Sequence, residues 1–180
     1  MSGFAGTGKT FVATYLALTQ GTKVYIVRSA VPTRDMGFMP GNAKEKAAMY
    51  EGPYIDACTK LFGRGDAYAL LTAKGAIEFV TTSYLRGLTL DNCVVIVDEM
   101  QNMSFHELDT IITRAGVNCR LIFLGDVTQT DLTKDSEKAG LLKFIEIIKK
   151  LDWMDLVEFG IQDIVRSEKV KQYIIAKDKG

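Results

Sequence analysis

The stretch Gly3-Phe4-Ala5-Gly6-Thr7-Gly8-Lys9-Thr10 decides the fold, because it fits the spacing G-x-x-x-x-G-K-[ST] and precedes a predicted helix. Its glycines let consecutive backbone N–H groups curl toward phosphate oxygens, and the helix adds the positive end of its dipole. We therefore assign all eight residues to nucleotide binding, with the Lys9 charge on the outer phosphates and the Thr10 hydroxyl as a magnesium ligand. The alternative is a chance glycine-rich turn, which the helix after it disfavours.

Strands and helices alternate outward from this loop. Apolar and β-branched runs predict strands at Lys23–Arg28, Ala76–Thr82, Val94–Val97, Arg120–Leu124 and Asp155–Phe159. Helices are predicted at Thr10–Gln20, Tyr54–Phe62, Ser104–Ala115, Gly140–Leu151 and Ile164–Ala176, and a loop at Ser29–Glu51. The pattern predicts an α/β fold, a mainly parallel sheet with helices on both faces. Such sheets bind ligands beyond the carboxyl ends of their strands.

Two acids follow the apolar strand Val94–Val97. Asp98 is predicted to hold magnesium, directly or through water, and Glu99 is predicted to take a proton from the attacking water. A solvated acidic turn after a buried strand is a common alternative. The phosphate-binding loop elsewhere in the chain makes that alternative the minority interpretation.

A third cluster, Gly125-Asp126-Val127-Thr128-Gln129, follows the strand Arg120–Leu124. The Gln129 amide is predicted to touch both the γ-phosphate and the water, and so to report whether the γ-phosphate is present. A polar loop with a glycine turn is the alternative. The loop, the acids and the glutamine are far apart in sequence but would meet at one edge of a parallel sheet.

Composition narrows the class of protein without indicating a substrate. The 180 residues suit one domain, 47% of them are hydrophobic, and no apolar run is long enough to span a membrane. Lys plus Arg equal Asp plus Glu at 22 each, so a strong basic footprint for nucleic acid is absent. The three scattered cysteines match no zinc spacing and are typical of reduced thiols in a cytoplasmic protein.

Together, the loop, the segment Asp98-Glu99-Met100-Gln101-Asn102 and the cluster that ends at Gln129 resemble the first RecA-like domain of superfamily-one helicases. The chain resembles the PhoH-like family of ATPases more closely, over nearly its whole length. Further matching stretches are Arg28 with Gly37-Phe38-Met39-Pro40-Gly41, Tyr84-Leu85-Arg86-Gly87-Leu88-Thr89-Leu90, Thr113-Arg114-Ala115-Gly116 and Asp163-Ile164-Val165-Arg166. The resemblance implies a RecA-like P-loop fold, ATP hydrolysis and often a ring-shaped oligomer such as a hexamer. Some of these relatives act on RNA.

Two features depart from the pattern of that family. Only Met1 and Ser2 precede Gly3, where the family has a strand. We therefore expect residues 1–180 to form a single RecA-like ATPase domain that lacks this strand and is part of a longer protein, with unpaired backbone groups beside Arg120–Leu124. Ser167 stands where the family has a histidine after the late arginine, which argues against a role that needs an imidazole there.

Four arginines are candidates for contacts with charged ligands or partners. Arg166 is predicted to be an arginine finger that neutralises the transferring phosphate, either in its own subunit or, as we favour, in a neighbour. Arg114 is the rival finger, and a surface ion pair with Asp163 is the alternative for Arg166. For Arg28 and Arg86, two interpretations are rated equal. One is contact with a nucleic-acid backbone or an oligomer partner, and the other is a charge exposed to solvent.

The sequence leaves two classes of function open. The first is Mg²⁺-dependent ATP hydrolysis coupled to remodelling of RNA or single-stranded nucleic acid, in a homo-oligomer because one RecA-like domain cannot form a two-domain helicase cleft. The second is a nucleotide-dependent switch or assembly module without motor activity. Both use ATP and Mg²⁺ and neither needs a membrane. Stimulation of ATP turnover by RNA or single-stranded DNA would distinguish them.

Overall fold

The computed structural model describes residues 1–29, 50–126 and 135–178. Its strands are β1 Ser2–Gly3, β2 Lys23–Arg28, β3 Ile77–Thr81, β4 Cys93–Val97, β5 Arg120–Phe123 and β6 Glu158–Phe159. Its helices are α1 Lys9–Leu18, α2 Gly52–Phe62, α3 Ala67–Ala73, α4 Phe105–Arg114, α5 Asp135–Ile148 and α6 Glu168–Asp178. Two 3-10 turns, Met100–Asn102 and Ile161–Asp163, follow β4 and β6.

Four strands form a parallel sheet in the order β3-β2-β4-β5. All five residues of β4 are buried, because neighbouring strands flank it and helices cover both of its faces. The side chains of Val94 and Ile96 enter one core with α1, α2 and α3, and those of Val95 and Val97 enter the other with α4 and α5. Because successive side chains of a strand point to opposite faces, the apolar strand β4 contributes to an apolar layer on each side of the sheet. The fold is the predicted α/β fold of a RecA-like P-loop domain.

The residues before the loop form a strand after all, although a very short one. β1 pairs in parallel with β6, and the Ser2 nitrogen donates to the Val157 carbonyl at 2.8 Å. On its other side, Gly3 donates to the Gly125 carbonyl at 3.3 Å, and the Met1 nitrogen donates to the Phe123 carbonyl at 2.7 Å. Two residues suffice to place Gly3 between the ends of β5 and β6, while the expectation that the domain lacks the family's longer strand stays a prediction.

Several element boundaries differ from the predictions. Helix α3 was not predicted, since seven residues between glycines give too short a periodic pattern and depend on packing for stability. Helix α5 begins at Asp135 rather than Gly140, and α6 begins at Glu168 rather than Ile164. The predicted strand Asp155–Phe159 is limited to its last two residues, because β1 offers only two partners.

Some predictions fall on parts of the chain that the structure does not describe. Most of the loop predicted at Ser29–Glu51 lies outside the described residues, and so does Gln129, to which a sensor role was assigned. Among the helices of the described ranges, none combines the length and the apolarity that crossing a bilayer requires.

Candidate nucleotide-binding site

The predicted phosphate-binding loop connects β1 to α1 at the carboxyl edge of the sheet. Gly8 caps α1 with φ 83° and, as a glycine, offers no side-chain acceptor to the first turn of the helix. The loop lines a cleft of about 790 Å³ together with Asp98, Glu99, Asp126 and Arg166. A helix that begins with uncapped N–H groups at the floor of a cleft favours a phosphate ligand.

The Lys9 side chain is folded into its own loop. Its Nζ donates to the carbonyl oxygens of Gly3 at 2.6 Å and Phe4 at 2.7 Å, and lies 3.4 Å from the Thr7 hydroxyl. Burial lowers the pKa of Lys9 from its ordinary value, while the nearby acids Asp126, Glu99 and Asp98 oppose that shift. The ammonium group is therefore held at the loop by neutral carbonyls, which an anionic phosphate can replace as stronger acceptors.

The two acids after β4 have different surroundings. The Asp98 side chain is buried and that of Glu99 is 45% exposed. Burial raises the pKa of Asp98, Arg28 opposes this shift, and Glu99 adds to it. The buried Tyr54 hydroxyl lies beside Asp98, and burial, reinforced by that carboxylate, raises the pKa of Tyr54 well above its usual range. Glu99, in contrast, is accessible to water.

Arg28 contacts both acids. Its Nε lies 3.4 Å from Asp98 Oδ2, and its Nη2 lies 3.5 Å from Glu99 Oε1. The position follows from the sheet, because Val27 of β2 is paired with Val97 of β4, and Arg28 and Asp98 are the residues that follow this pair. Arg28 is thus turned toward the acid pair, which neither interpretation from the sequence had foreseen.

Gln101 connects the acid pair to the cluster after β5, a role that was not predicted from the sequence. Its side-chain amide donates to Glu99 Oε2, and its Oε1 accepts from the Asp126 backbone N–H at 3.1 Å. A Cβ on Gly125 would lie 2.6 Å from that Oε1, so a larger residue there would displace the Gln101 amide. The only indication of this role in the sequence was that Gln101 lies two residues after Glu99, within the segment Asp98-Glu99-Met100-Gln101-Asn102 on which the family resemblance rests.

Arg166 lies on the phosphate-binding loop of its own chain. The Val165 N–H donates to the Gly6 carbonyl at 3.0 Å, and a Cβ on Gly6 would come within 2.8 Å of Arg166 Cγ. The suggested ion pair with Asp163 does not form, and Asp163 Oδ2 instead accepts from the Gly160 N–H at 2.8 Å. Within the described ranges no carboxylate pairs with Arg166 within 4.0 Å.

Arg114, the rival finger, lies at the opposite edge of the sheet. It ends α4, and its carbonyl accepts from the N–H of Leu90, which precedes β4. Helix α4 begins near the carboxyl edge and its ten residues span about 15 Å. The Arg114 side chain is therefore remote from the cleft of its own chain.

The residues fit magnesium that arrives with a nucleotide. The described part of the chain holds no group of three or more His, Cys, Asp or Glu side chains arranged for a metal ion. Asp98 and Thr10 line the same cleft and provide one carboxylate and one hydroxyl. Magnesium usually takes one or two carboxylates and completes its shell with phosphates and water.

Known proteins resemble this chain over most of its length. A family model described as "PhoH-like protein" matches residues 1–177. The chain is 38% identical to a PhoH-like protein of Bacillus subtilis, in an alignment that covers 98% of this chain and 57% of the relative.

Two further relatives give the same result. A PhoH-like protein of Synechocystis is 34% identical, with 98% of this chain and 55% of the relative covered. Protein PhoH of Escherichia coli K12 is also 34% identical, with 92% and 49% covered. The chain thus spans about half the length of the curated relatives it matches. The extent of the family match, together with a phosphate-binding loop and an acid pair that meet in one cleft, shows that the chain belongs to the PhoH-like family.

Proposed function

We propose that this chain binds ATP with Mg²⁺ and hydrolyses the terminal phosphate. The observation that carries the proposal is the convergence, in one cleft, of the loop with Lys9, the acids Asp98 and Glu99, and Arg166. Each of these groups has a counterpart in the requirements of phosphoryl transfer, which are positioning, charge neutralisation and an oriented water.

The loop amides and Lys9 bind the phosphates, and Lys9 exchanges its carbonyl acceptors Gly3 and Phe4 for phosphate oxygens. Asp98 and Thr10 are the residues that would hold a magnesium ion, which would supply charge neutralisation for the phosphates. Glu99 is the base: its carboxylate is open to solvent on one side and is held by Gln101 on the other, so it can orient a water and accept its proton. Arg166 adds positive charge above Gly6, and Gln129 remains our candidate for the γ-phosphate sensor.

The variant Lys9→Ala tests this proposal directly. Loss of the charge on the outer phosphates should weaken ATP binding and abolish turnover, with Lys74→Ala as a control at an exposed lysine. Calorimetric titration with ATP and a phosphate-release assay measure the two effects. Wild-type affinity and turnover in Lys9→Ala would overturn the assignment of the loop.

We further propose that turnover is coupled to RNA or single-stranded nucleic acid in a cytoplasmic homo-oligomer. Tyr84 is 52% exposed and Arg86 is exposed just beyond the carboxyl end of β3, beside the strand that carries Arg28. An exposed aromatic ring next to a cation suits an unpaired base and its phosphate. A neighbouring copy would supply the second wall that a single domain lacks, and the three free cysteines fit the cytoplasm.

Stimulation of ATP turnover by nucleic acid tests the coupling. Single-stranded RNA or DNA should accelerate phosphate release by the wild type, and Tyr84→Ala with Arg86→Ala should remove the acceleration while leaving ATP affinity intact. Duplex DNA serves as the control polymer. ATP hydrolysis without any response to single strands would favour the alternative, a nucleotide-dependent switch or assembly module.

A further inference from the structure

Arg28 is the one described side chain that forms ion pairs with the acid pair within 4.0 Å. The guanidinium group contacts both carboxylates, and its Cζ lies over the Tyr50 ring, 4.6 Å from the ring centroid. Lys9 does not take this place, because its hydrogen bonds go to the loop carbonyls and the Thr7 hydroxyl. Arg28 is therefore the described cation in direct contact with the two adjacent carboxylates.

The geometry of this contact is suited to exchange. Neither carboxylate receives the bidentate pair that makes arginine–carboxylate contacts strong, because a single guanidinium nitrogen lies near each one, at 3.4 and 3.5 Å. A buried carboxylate without any cation nearby is costly, so Asp98 requires a partner in every state of the protein. A loosely held arginine meets this requirement and can still be displaced by a stronger cation.

We propose that Arg28 is the exchangeable counter-ion of the acid pair, which holds Asp98 and Glu99 in the nucleotide-free protein and releases Asp98 to the divalent cation that accompanies the nucleotide. The inference rests on the proposed function. Arg28 is a positioning residue here, not a catalytic one. Its charge raises the magnesium concentration that the site requires, so the metal ion binds only when nucleotide phosphates contribute to its coordination.

The magnesium dependence of ADP binding tests the role of Arg28. Affinity for a fluorescent ADP is measured in EDTA and at increasing Mg²⁺ concentrations, for wild type, Arg28→Ala, Arg28→Gln and Arg28→Lys. A unit charge about 4 Å away contributes about 1 kcal/mol even in water. The Mg²⁺ concentration that gives half of the change in ADP affinity should therefore be at least about fivefold lower in the neutral variants. Arg28→Lys should stay near wild type because it keeps the charge.

Arg64→Ala is the matched control, since Arg64 also pairs with an aspartate, Asp66, but on the exposed surface. Affinity in EDTA should be similar in all folded variants, which separates metal exchange from a general loss of binding. An unchanged or higher Mg²⁺ requirement in the neutral variants would overturn the proposal. Failure of the wild type to bind ADP at all would instead overturn the proposed function, and the inference with it.

A second measurement needs no neutral variant to fold. The side-chain Nε–H signal of Arg28, assigned in nitrogen-15 spectra by its loss in Arg28→Lys, is followed in the wild-type protein with ADP. Addition of Mg²⁺ should shift this signal, while the Arg64 signal should stay in place. A stationary Arg28 signal while Mg²⁺ tightens ADP binding would show that the arginine is a fixed tether and not an exchangeable counter-ion.

Discussion

Glu99 adopts a backbone conformation that residues with a side chain rarely occupy. Its φ of 54° and ψ of 44° place it in the left-handed region, where a non-glycine residue costs on the order of 1–3 kcal/mol. The contacts of its carboxylate with Gln101 and Arg28, and the turn Met100–Asn102 that follows, hold it there. The conformation aims the Glu99 carboxylate into the cleft while its neighbour Asp98 stays buried.

The two acids should therefore respond differently to loss of charge. Glu99→Gln should bind ATP with near wild-type affinity and fail to hydrolyse it, because an amide is a poor base. Asp98→Asn should lose much of the Mg²⁺ dependence of binding, because the buried carboxylate is removed. Nucleotide titrations with and without Mg²⁺ and single-turnover hydrolysis separate the effects. Normal hydrolysis by Glu99→Gln would exclude Glu99 as the base.

At the scale of elements, Glu107 joins the start of α4 to the carboxyl ends of β2 and β3. It forms a capping box with Ser104 and accepts hydrogen bonds from Ser29 at 2.7 Å and Thr82 at 2.8 Å. Burial pushes the pKa of Glu107 upward, but the hydrogen bonds from these three residues outweigh it, and the net shift is downward. Since only the turn Met100–Asn102 and two further residues separate α4 from the acid pair, Glu107 helps to fix the position of that turn against two strands.

Glu107→Gln should lower the free energy of unfolding by about 1–3 kcal/mol at neutral pH, the contribution of hydrogen bonds to a charged group. Because the folded pKa is lowered, this contribution is complete above the ordinary value of 4.5 and is lost as the pH falls through the folded pKa. Urea unfolding of both proteins from pH 7 down to acid measures it. Asp109→Asn, at an exposed acid of the same helix, is the control, and a pH-independent difference between wild type and Glu107→Gln would contradict the prediction.

At the scale of the whole molecule, a segment near the end of the chain packs against the loop near its beginning. The segment after β6 returns Arg166 to Gly6, about 160 residues apart in sequence, and β1 lies between β5 and β6. This placement favours action of Arg166 on the nucleotide of its own chain. The hypothesis that it serves a neighbouring subunit stays a prediction without support from the geometry.

Mixing experiments distinguish the two roles of Arg166. Arg166→Ala should bind ATP nearly normally and hydrolyse it slowly, since a supplied arginine is worth on the order of 10³ to 10⁵ in the rate of GTPases. If Arg166 acts in its own chain, a mixture of Arg166→Ala and Lys9→Ala subunits should remain inactive. Recovery of phosphate release in demonstrably mixed oligomers would establish action between subunits instead, and full turnover by Arg166→Ala alone would leave it no role.

The sequence by itself determined the α/β fold, the loop Gly3–Thr10, the acids after β4 and the membership in the PhoH-like family. The loop and the acids are local features, because the spacing of the glycines and the apolar strand with the two acids after it each lie within about ten residues. The parallel arrangement then required the loop and the acids to meet at one edge, which the structure bears out.

Only the tertiary structure decided which side chains complete the site. The approach of Arg28 to Asp98, the bridge from Gln101 to Asp126 and the closure of Arg166 on Gly6 join residues from different strands and loops. No periodicity encodes such contacts, because they depend on strand order, register and the direction of each side chain. The short strand β1 and helix α3 were decided in the same way, since each is too short to be stable without the neighbours that pack against it.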